Sequence, residues 1–209
     1  MKVLNALTLL IFLSVYTPQY QVFGAPTIVL VTFIYTEKVP PLYDLFLLSA
    51  WKNPTIQFRV VSDMNALELP FNVARNRSGP SNVKIIHTPW NDVNTALSKH
   101  LNISFKLNAS DAYKLCDFKP MIAHVFPDVV KGFDFWGHVD NDVVFGDLRD
   151  VNFLSDGLLK YADIISSSNS MCNGPLQLYR NIAKINSLYL ASPDFKVVSA
   201  TTKYWVSLH

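Results

Sequence analysis

Two hundred and nine residues suit one domain with ample length for a real core. Half of them are apolar and 13% are aromatic, which excludes a disordered chain. With a net charge of +2 and no Lys/Arg cluster, the sequence offers no phosphate-backbone footprint, and no nucleic acid is expected as a partner.

The N-terminus reads as an export signal. Lys2 supplies a short positive end, and Val3 to Val15 is mostly apolar but too short for a comfortable membrane span. Val22-Phe23-Gly24 places small residues at the offsets for cleavage, leaving Ala25 as the mature start. The alternative is an uncleaved anchor, the one form in which a membrane would be a partner. Pro18, Gln19 and Gln21 interrupt the apolar stretch and count against it. The expected division is a signal over residues 1–24 and one domain over 25–209.

Thr27 to Tyr35 is β-branched and apolar almost throughout, a central strand buried on both faces as in a parallel sheet. Pro40 and Pro41 open a helical pattern of Leu42, Leu45, Phe46, Leu47 and Leu48 that runs to Trp51, and Asn53-Pro54 ends it. Thr55 to Ser62 alternates and then turns apolar, a second strand closed by Asp63. Strand, helix and strand within about forty residues make a βαβ unit. Residues 64–81 hold Pro70, Gly79 and Pro80 and read as loop with room for a short helix. Val83 to Thr88 is a third strand, and Asn91 or Asp92 is the expected N-cap of a helix to Leu101.

Asn102 to Asp111 is a polar bridge into Y-K-L-C-D-F-K-P, Tyr113 to Pro120. Asp117 is the expected N-cap of a helix carrying Met121, Ile122, Val125 and Phe126, broken at Pro127 before Val129 and Val130. Phe133 to Val139 is a fourth strand, with Trp136 as a core residue. Leu148 to Leu159 reads as a short helix, Tyr161 to Ser166 and Leu176 to Tyr179 as strands, and Ile182 to Leu190 as a helix. Val197 to His209 has no clear punctuation.

The fourth strand runs straight into Asp140-Asn141-Asp142, and a second apolar run, Val143-Val144-Phe145, follows. Two carboxylates two residues apart at a strand end suit a hard divalent cation, Mg²⁺ or Mn²⁺, which takes one or two carboxylates with waters and substrate phosphates. Flanked by apolar residues on both sides, the acids are expected to carry a desolvation cost that a cation offsets. Asp-X-Asp alone equally suits a solvated turn. The surrounding alternation of strands and helices implies an α/β sandwich with a mostly parallel sheet. Ligands of such sheets bind outside the carboxyl ends of the strands, where Asp140 and Asp142 stand.

Three N-x-[ST] sequons, at Asn76, Asn102 and Asn108, lie in polar stretches and agree with a secretory route, to the ER or Golgi lumen or out of the cell. Cys116 and Cys172 admit either a disulfide in an oxidising lumen or two separate buried thiols.

Asp-X-Asp after a strand, preceded by Asp-X-Lys, resembles nucleotide-sugar-dependent glycosyltransferases of the GT-A type. The runs Y-K-L-C-D-F-K-P, F-D-F-W-G-H-V-D-N-D-V-V-F-G-D-L and L-Y-R-N, with the Pro41–Ser49 and Asn53–Phe58 segments, are similar to an uncharacterised glycosyltransferase-like family of bacterial polysaccharide loci. The likeness runs from about Thr27 to Ser192. It implies a GT-A-like αβα sandwich and a nucleotide-sugar donor. Asp140 and Asp142 would hold Mn²⁺ or Mg²⁺ on the donor diphosphate. Asn141 would lie near ribose or sugar, and Asp117 and Lys119 against nucleotide or donor sugar. His138 would lie near the nucleotide, although its place in the strand equally suits a core histidine. Cys172-Asn173-Gly174 would face the acceptor, with Asn173 and Gly174 on the acceptor side.

Two features depart from the resemblance. Asn141 replaces the usual apolar middle residue. The chain also stops at His209, where GT-A domains continue to a further acid near the acceptor; Asp194 is the only acid after Arg180. The expected domain is therefore GT-A-like with its C-terminal part incomplete. The function expected is transfer of a sugar from a nucleotide donor to a glycan or glycoprotein. The alternative is a non-catalytic relative that binds nucleotide or sugar. A metal-dependent phosphoesterase is disfavoured, because the five histidines are scattered.

Overall fold

The computed structural model describes residues 24–64, 82–150, 153–167 and 175–203. The expected signal up to Phe23, the sequon at Asn76, the loop over 65–81, Cys172-Asn173-Gly174 and His209 lie outside the described residues.

Seven helices and six strands order the described chain. They are β1 (Ile28–Ile34), α1 (Tyr43–Trp51), β2 (Ile56–Ser62), β3 (Val83–His87), α2 (Trp90–Leu101), α3 (Ile122–Val125), α4 (Pro127–Val130), β4 (Phe135–Val139), α5 (Asp156–Tyr161), β5 (Ile164–Ser166), β6 (Leu176–Arg180), α6 (Ala183–Asn186) and α7 (Phe195–Val198). A 3₁₀ helix spans Ala109–Met121 and another Leu188–Ala191. The sheet order is β3-β2-β1-β4-β6-β5. Strands β1, β2, β3 and β4 are mutually parallel, and β6 runs antiparallel to both β4 and β5. The fold is therefore α/β with a mostly parallel sheet.

β1 sits in the middle because every side chain in it is apolar or Thr and nearly all are buried. Its two faces feed two cores. Val29 and Val31 join Trp136 and Tyr179 beneath α2, the long 3₁₀ helix and α3. Ile28, Leu30 and Ile34 join Phe58, Phe135 and Leu178 beneath α1 and the chain after Phe145. Each fully buried Leu or Ile contributes about 1.5–3 kcal/mol relative to exposure. Gly137, at the centre of β4, lets β6 and β1 close in. A Cβ there would strike the Gln177 carbonyl and stand 2.8 Å from Leu30 Cδ2.

Several local expectations change. Neither Asn91 nor Asp92 caps α2; Pro89 takes the cap position and Asp92 lies in the first turn. The polar bridge ends at Asn108, which caps the long 3₁₀ helix in a reciprocal box with Asp111. Asp117 is thus inside that 3₁₀ helix and not the cap of a following helix. Pro127 does break the next segment, opening α4. β4 starts at Phe135, because the Asp134 carboxylate leaves the strand to accept from Thr27 N and Oγ1, both at 2.8 Å. The helix expected over Leu148–Leu159 contracts to α5, capped by Ser155. The strand over Tyr161–Ser166 contracts to β5. The helix over Ile182–Leu190 splits at Ser187, whose hydroxyl bonds back to the Ala183 carbonyl at 2.9 Å. α7 starts at Phe195, two residues ahead of the tail that showed no punctuation, and ends at Val198. Among the described residues no helix is long and apolar enough to cross a membrane.

Candidate functional site

Strand β4 positions the acids. Its side chains alternate, and its ladder with β6 continues one step past the strand, with Asp140 N donating to the Pro175 carbonyl at 2.9 Å. Trp136, His138 and Asp140 therefore share one face. On that face lies the long 3₁₀ helix, which brings Lys119 onto Asp140: the ammonium donates to Asp140 Oδ1. The Asp140 side chain is 37% exposed and Lys119 18%. Asn141 and Asp142 form the turn beyond, with Asn141 half-buried and Asp142 exposed.

Burial does not explain these acids, contrary to the expectation from their apolar flanks. Asp142 stands in solvent, and Asp140 has a cation from its own chain. The apolar Phe145 after them turns away from the acids into the second core, against Phe46 and Phe58. Asn53 fixes that return: its Nδ2 donates to Gly146 O at 2.9 Å and its Oδ1 accepts from Leu148 N at 2.8 Å. Three hydrogen bonds from one buried Asn hold the chain after the acidic turn against the end of α1.

Among the described residues no group of three or more His, Cys, Asp and Glu is gathered for a metal. The donor set still fits a hard cation. Both acids are accessible carboxylates, and Mg²⁺ or Mn²⁺ binds through one or two of these when phosphates and water complete the shell.

The other expected site residues divide. Lys119 meets Asp140 at the strand end. Asp117 is paired within the 3₁₀ helix: its Oδ2 accepts from Lys114 Nζ at 2.8 Å, in a pair with side chains 0% and 5% exposed. Its role is to hold the 3₁₀ helix. His138 is 1% exposed and lies 6.1 Å from the Tyr179 ring, buried in the strand. Trp136 is core, stacked on Tyr179 at 4.4 Å with its Nε1 donating to Asn186 at 2.8 Å. Cys116 is a free thiol beside Lys119; burial pushes it up, with Lys119 pulling the other way. Asn102 and Asn108 are exposed, and Asn102 ends α2 at φ 54°.

Three features escaped the sequence reading. Lys114 is fully buried, although a lone Lys in a polar run looks solvated. Gln177 is 0% exposed and opposite His138 in the β4–β6 register. A cleft of about 420 Å³ lies at the opposite pole, lined by Ala25, Pro26, Thr27, Thr55, Arg149, Ser155 and Asp156. Its Arg149 is engaged with Pro26 O at 2.6 Å, Leu154 O at 3.1 Å and Asp156 at 3.3 Å. That cleft is held together by a structural arginine and stands away from the acids.

A family model described as a family of unknown function, DUF6625, matches residues 31–206. No curated protein sequence matches the chain. Among solved structures, the apo form of mouse xyloside xylosyltransferase 1 is 12% identical, with 82% of this chain and 71% of that one covered and a TM-score of 0.44. An active-site mutant of LgtC is 20% identical over 58% of this chain, with a TM-score of 0.28. The galactosyltransferase LgtC with donor and acceptor sugar analogs is 16% identical over 79%, with a TM-score of 0.32. The chain spans 39% and 60% of the lengths of those two LgtC chains.

Proposed function

The chain belongs to DUF6625, a family of unknown function, and from its own geometry we propose that it is a GT-A-like glycosyltransferase. In this reading it moves a sugar from a nucleotide-sugar donor to a glycan or glycoprotein, with Mn²⁺ or Mg²⁺ at Asp140 and Asp142. One observation carries the reading. Lys119 and Asp140, 21 residues apart, meet at the carboxyl end of a strand in a mostly parallel sheet. That is where ligands of such sheets bind.

Lys119 and Asp140 present a cation and an accessible carboxylate at the strand end, with the exposed Asp142 two residues on in the turn beyond. A divalent ion held there with the donor diphosphate would neutralise the charge of the leaving group. Lys119 then has a second acceptor within reach, the diphosphate itself, and its flexible stem lets it serve either. Asn141, between the acids, offers an amide to ribose or sugar. The protein enters the secretory pathway by its N-terminal segment, and Asn102 and Asn108, both exposed, carry glycans. Their exposure supports this part of the reading.

The test is binding before turnover. With ligand at 100 times its Kd, Mn²⁺ and a nucleoside diphosphate stabilise the protein by about 2.7 kcal/mol. For a domain of this size that raises Tm by roughly 5–10 °C. Asp140→Asn with Asp142→Asn abolishes the shift. A doubly substituted protein that still responds to Mn²⁺ and nucleotide refutes the metal assignment. Sugar transfer or donor hydrolysis, measured on the same protein, separates an enzyme from a binding module that uses the same site.

A further inference from the structure

Directly beneath Asp140 lies a buried polar layer that the donor-site reading leaves unused. His138 and Gln177 are opposite one another in the β4–β6 ladder. Opposite residues of an antiparallel pair point to the same face. Both therefore lie on the face of Trp136, Tyr179 and Asp140, one step inward from the acid. Gln177 is 0% exposed, yet neither its Oε1 nor its Nε2 has a hydrogen-bond partner among the described residues.

An amide buried without partners is costly, and such groups in folded proteins call for an explanation. An apolar residue would fill this position at lower cost. Its neighbours along the strand, Leu176 and Leu178, are apolar and buried on the other face. Among the described residues, nothing in the packing of β6 requires a Gln there.

Resting on the donor-site reading above, we propose that Gln177 is a ligand-binding residue whose amide takes its partners from the hydroxyls of the transferred sugar. The order of the sheet assigns the sugar rather than the nucleoside. β1, β2 and β3, parallel strands of the kind at whose carboxyl ends nucleotides bind, lie on one side of β4. Asp140 at the end of β4 marks the diphosphate. β6, which carries Gln177, lies on the other side, where the donor's remaining part extends. The chemistry agrees: a neutral amide, one acceptor and two donors, matches neutral hydroxyls and supplies no charge for phosphate. The Lys119–Asp140 contact stands at the outer end of this layer. Donor binding recruits those two side chains to the diphosphate and opens the layer to the sugar. The cost of the unsatisfied amide in the free protein is recovered in the complex.

The experiment compares wild type with Gln177→Met, which keeps the volume and removes the amide, and with Gln177→Leu as a second variant. Titrations in Mn²⁺ use UDP and GDP against UDP-glucose, UDP-galactose, UDP-N-acetylglucosamine and GDP-mannose. The expected result has two parts. Without ligand the variants melt above wild type, because a buried unpartnered group is gone. With ligand they keep the affinity for the nucleoside diphosphate and lose about tenfold for the nucleotide sugar that wild type prefers. Equal sugar affinity in wild type and variants overturns the proposal, as does an equal loss for diphosphate and sugar. Variants that both melt lower or fail to fold show the amide to be a structural partner and also overturn it. If no nucleotide sugar binds wild type better than its parent diphosphate, the donor reading itself falls and takes this inference with it.

Discussion

Lys114 is the most exacting test of how the site is held. Its Nζ donates to Asp117 Oδ2 at 2.8 Å, Val198 O at 2.8 Å and Lys203 O at 3.0 Å, so all three ammonium protons are used. It also lies 5.6 Å over the Phe118 ring. The side chain thus pins the 3₁₀ helix that carries Lys119 to the end of α7 and the residues after it. Lys114→Ala removes the cation from a carboxylate that is 5% exposed and the donor from two carbonyls. Breaking a buried pair from one side costs about 3–5 kcal/mol. At roughly 2–4 °C per kcal/mol for a chain of this length, Tm falls by about 6–20 °C. Replacing both partners by apolar residues of similar volume is often close to neutral. Lys114→Met with Asp117→Leu is therefore expected to recover most of the loss. Thermal and urea unfolding followed by circular dichroism measure both variants. A single variant within about 1 kcal/mol of wild type, or a double variant no better than the single one, refutes the claim that this pair clamps the helix.

Gly137→Ala drives a Cβ into the Gln177 backbone carbonyl and against the Leu30 side chain, and the paired backbone of β6 cannot give way cheaply; urea unfolding should show a loss of about 3 kcal/mol or insoluble protein. Tyr43 is buried with no partner for its hydroxyl among the described residues, and burial, then the charge of Asp44, holds its phenol well above the ordinary 10.0. As pH rises past that ordinary value the unfolded chain ionises first, so the stability present below it is lost toward the higher folded value. Tyr43→Phe is expected to gain about 1 kcal/mol at pH 7 and to unfold less readily at pH 11, and an unchanged alkaline profile would count against burial as the cause. Expressed through a eukaryotic secretory route, the protein should lose mass on enzymatic deglycosylation; Asn102→Gln with Asn108→Gln should remove the part of that loss due to those two sites, and an unchanged loss would exclude them.

Much of the framework is written locally. The β-branched run of β1, the Pro-Pro entry to α1 and the break at Pro127 follow from side-chain shape and backbone freedom, which act within a few residues. The strand that ends at Asp140 is local in the same sense, and so the acids could be placed at a sheet edge from their apolar run alone. Their environment could not be placed that way. Lys119 and Asp140 approach because β4 lies beside β1 and the long 3₁₀ helix crosses that face. Burial of Lys114 depends on where the chain around Val198 and Lys203 returns, 84 and 89 residues later. Gln177 is buried because antiparallel β6 closes on Gly137. Periodicity records which side of its own axis a residue faces; charge pairing and desolvation depend on what the rest of the chain brings to that side. For this protein that difference separates the acidic motif, visible as a string, from the lysine and amide beside it, which only the assembled sheet identifies.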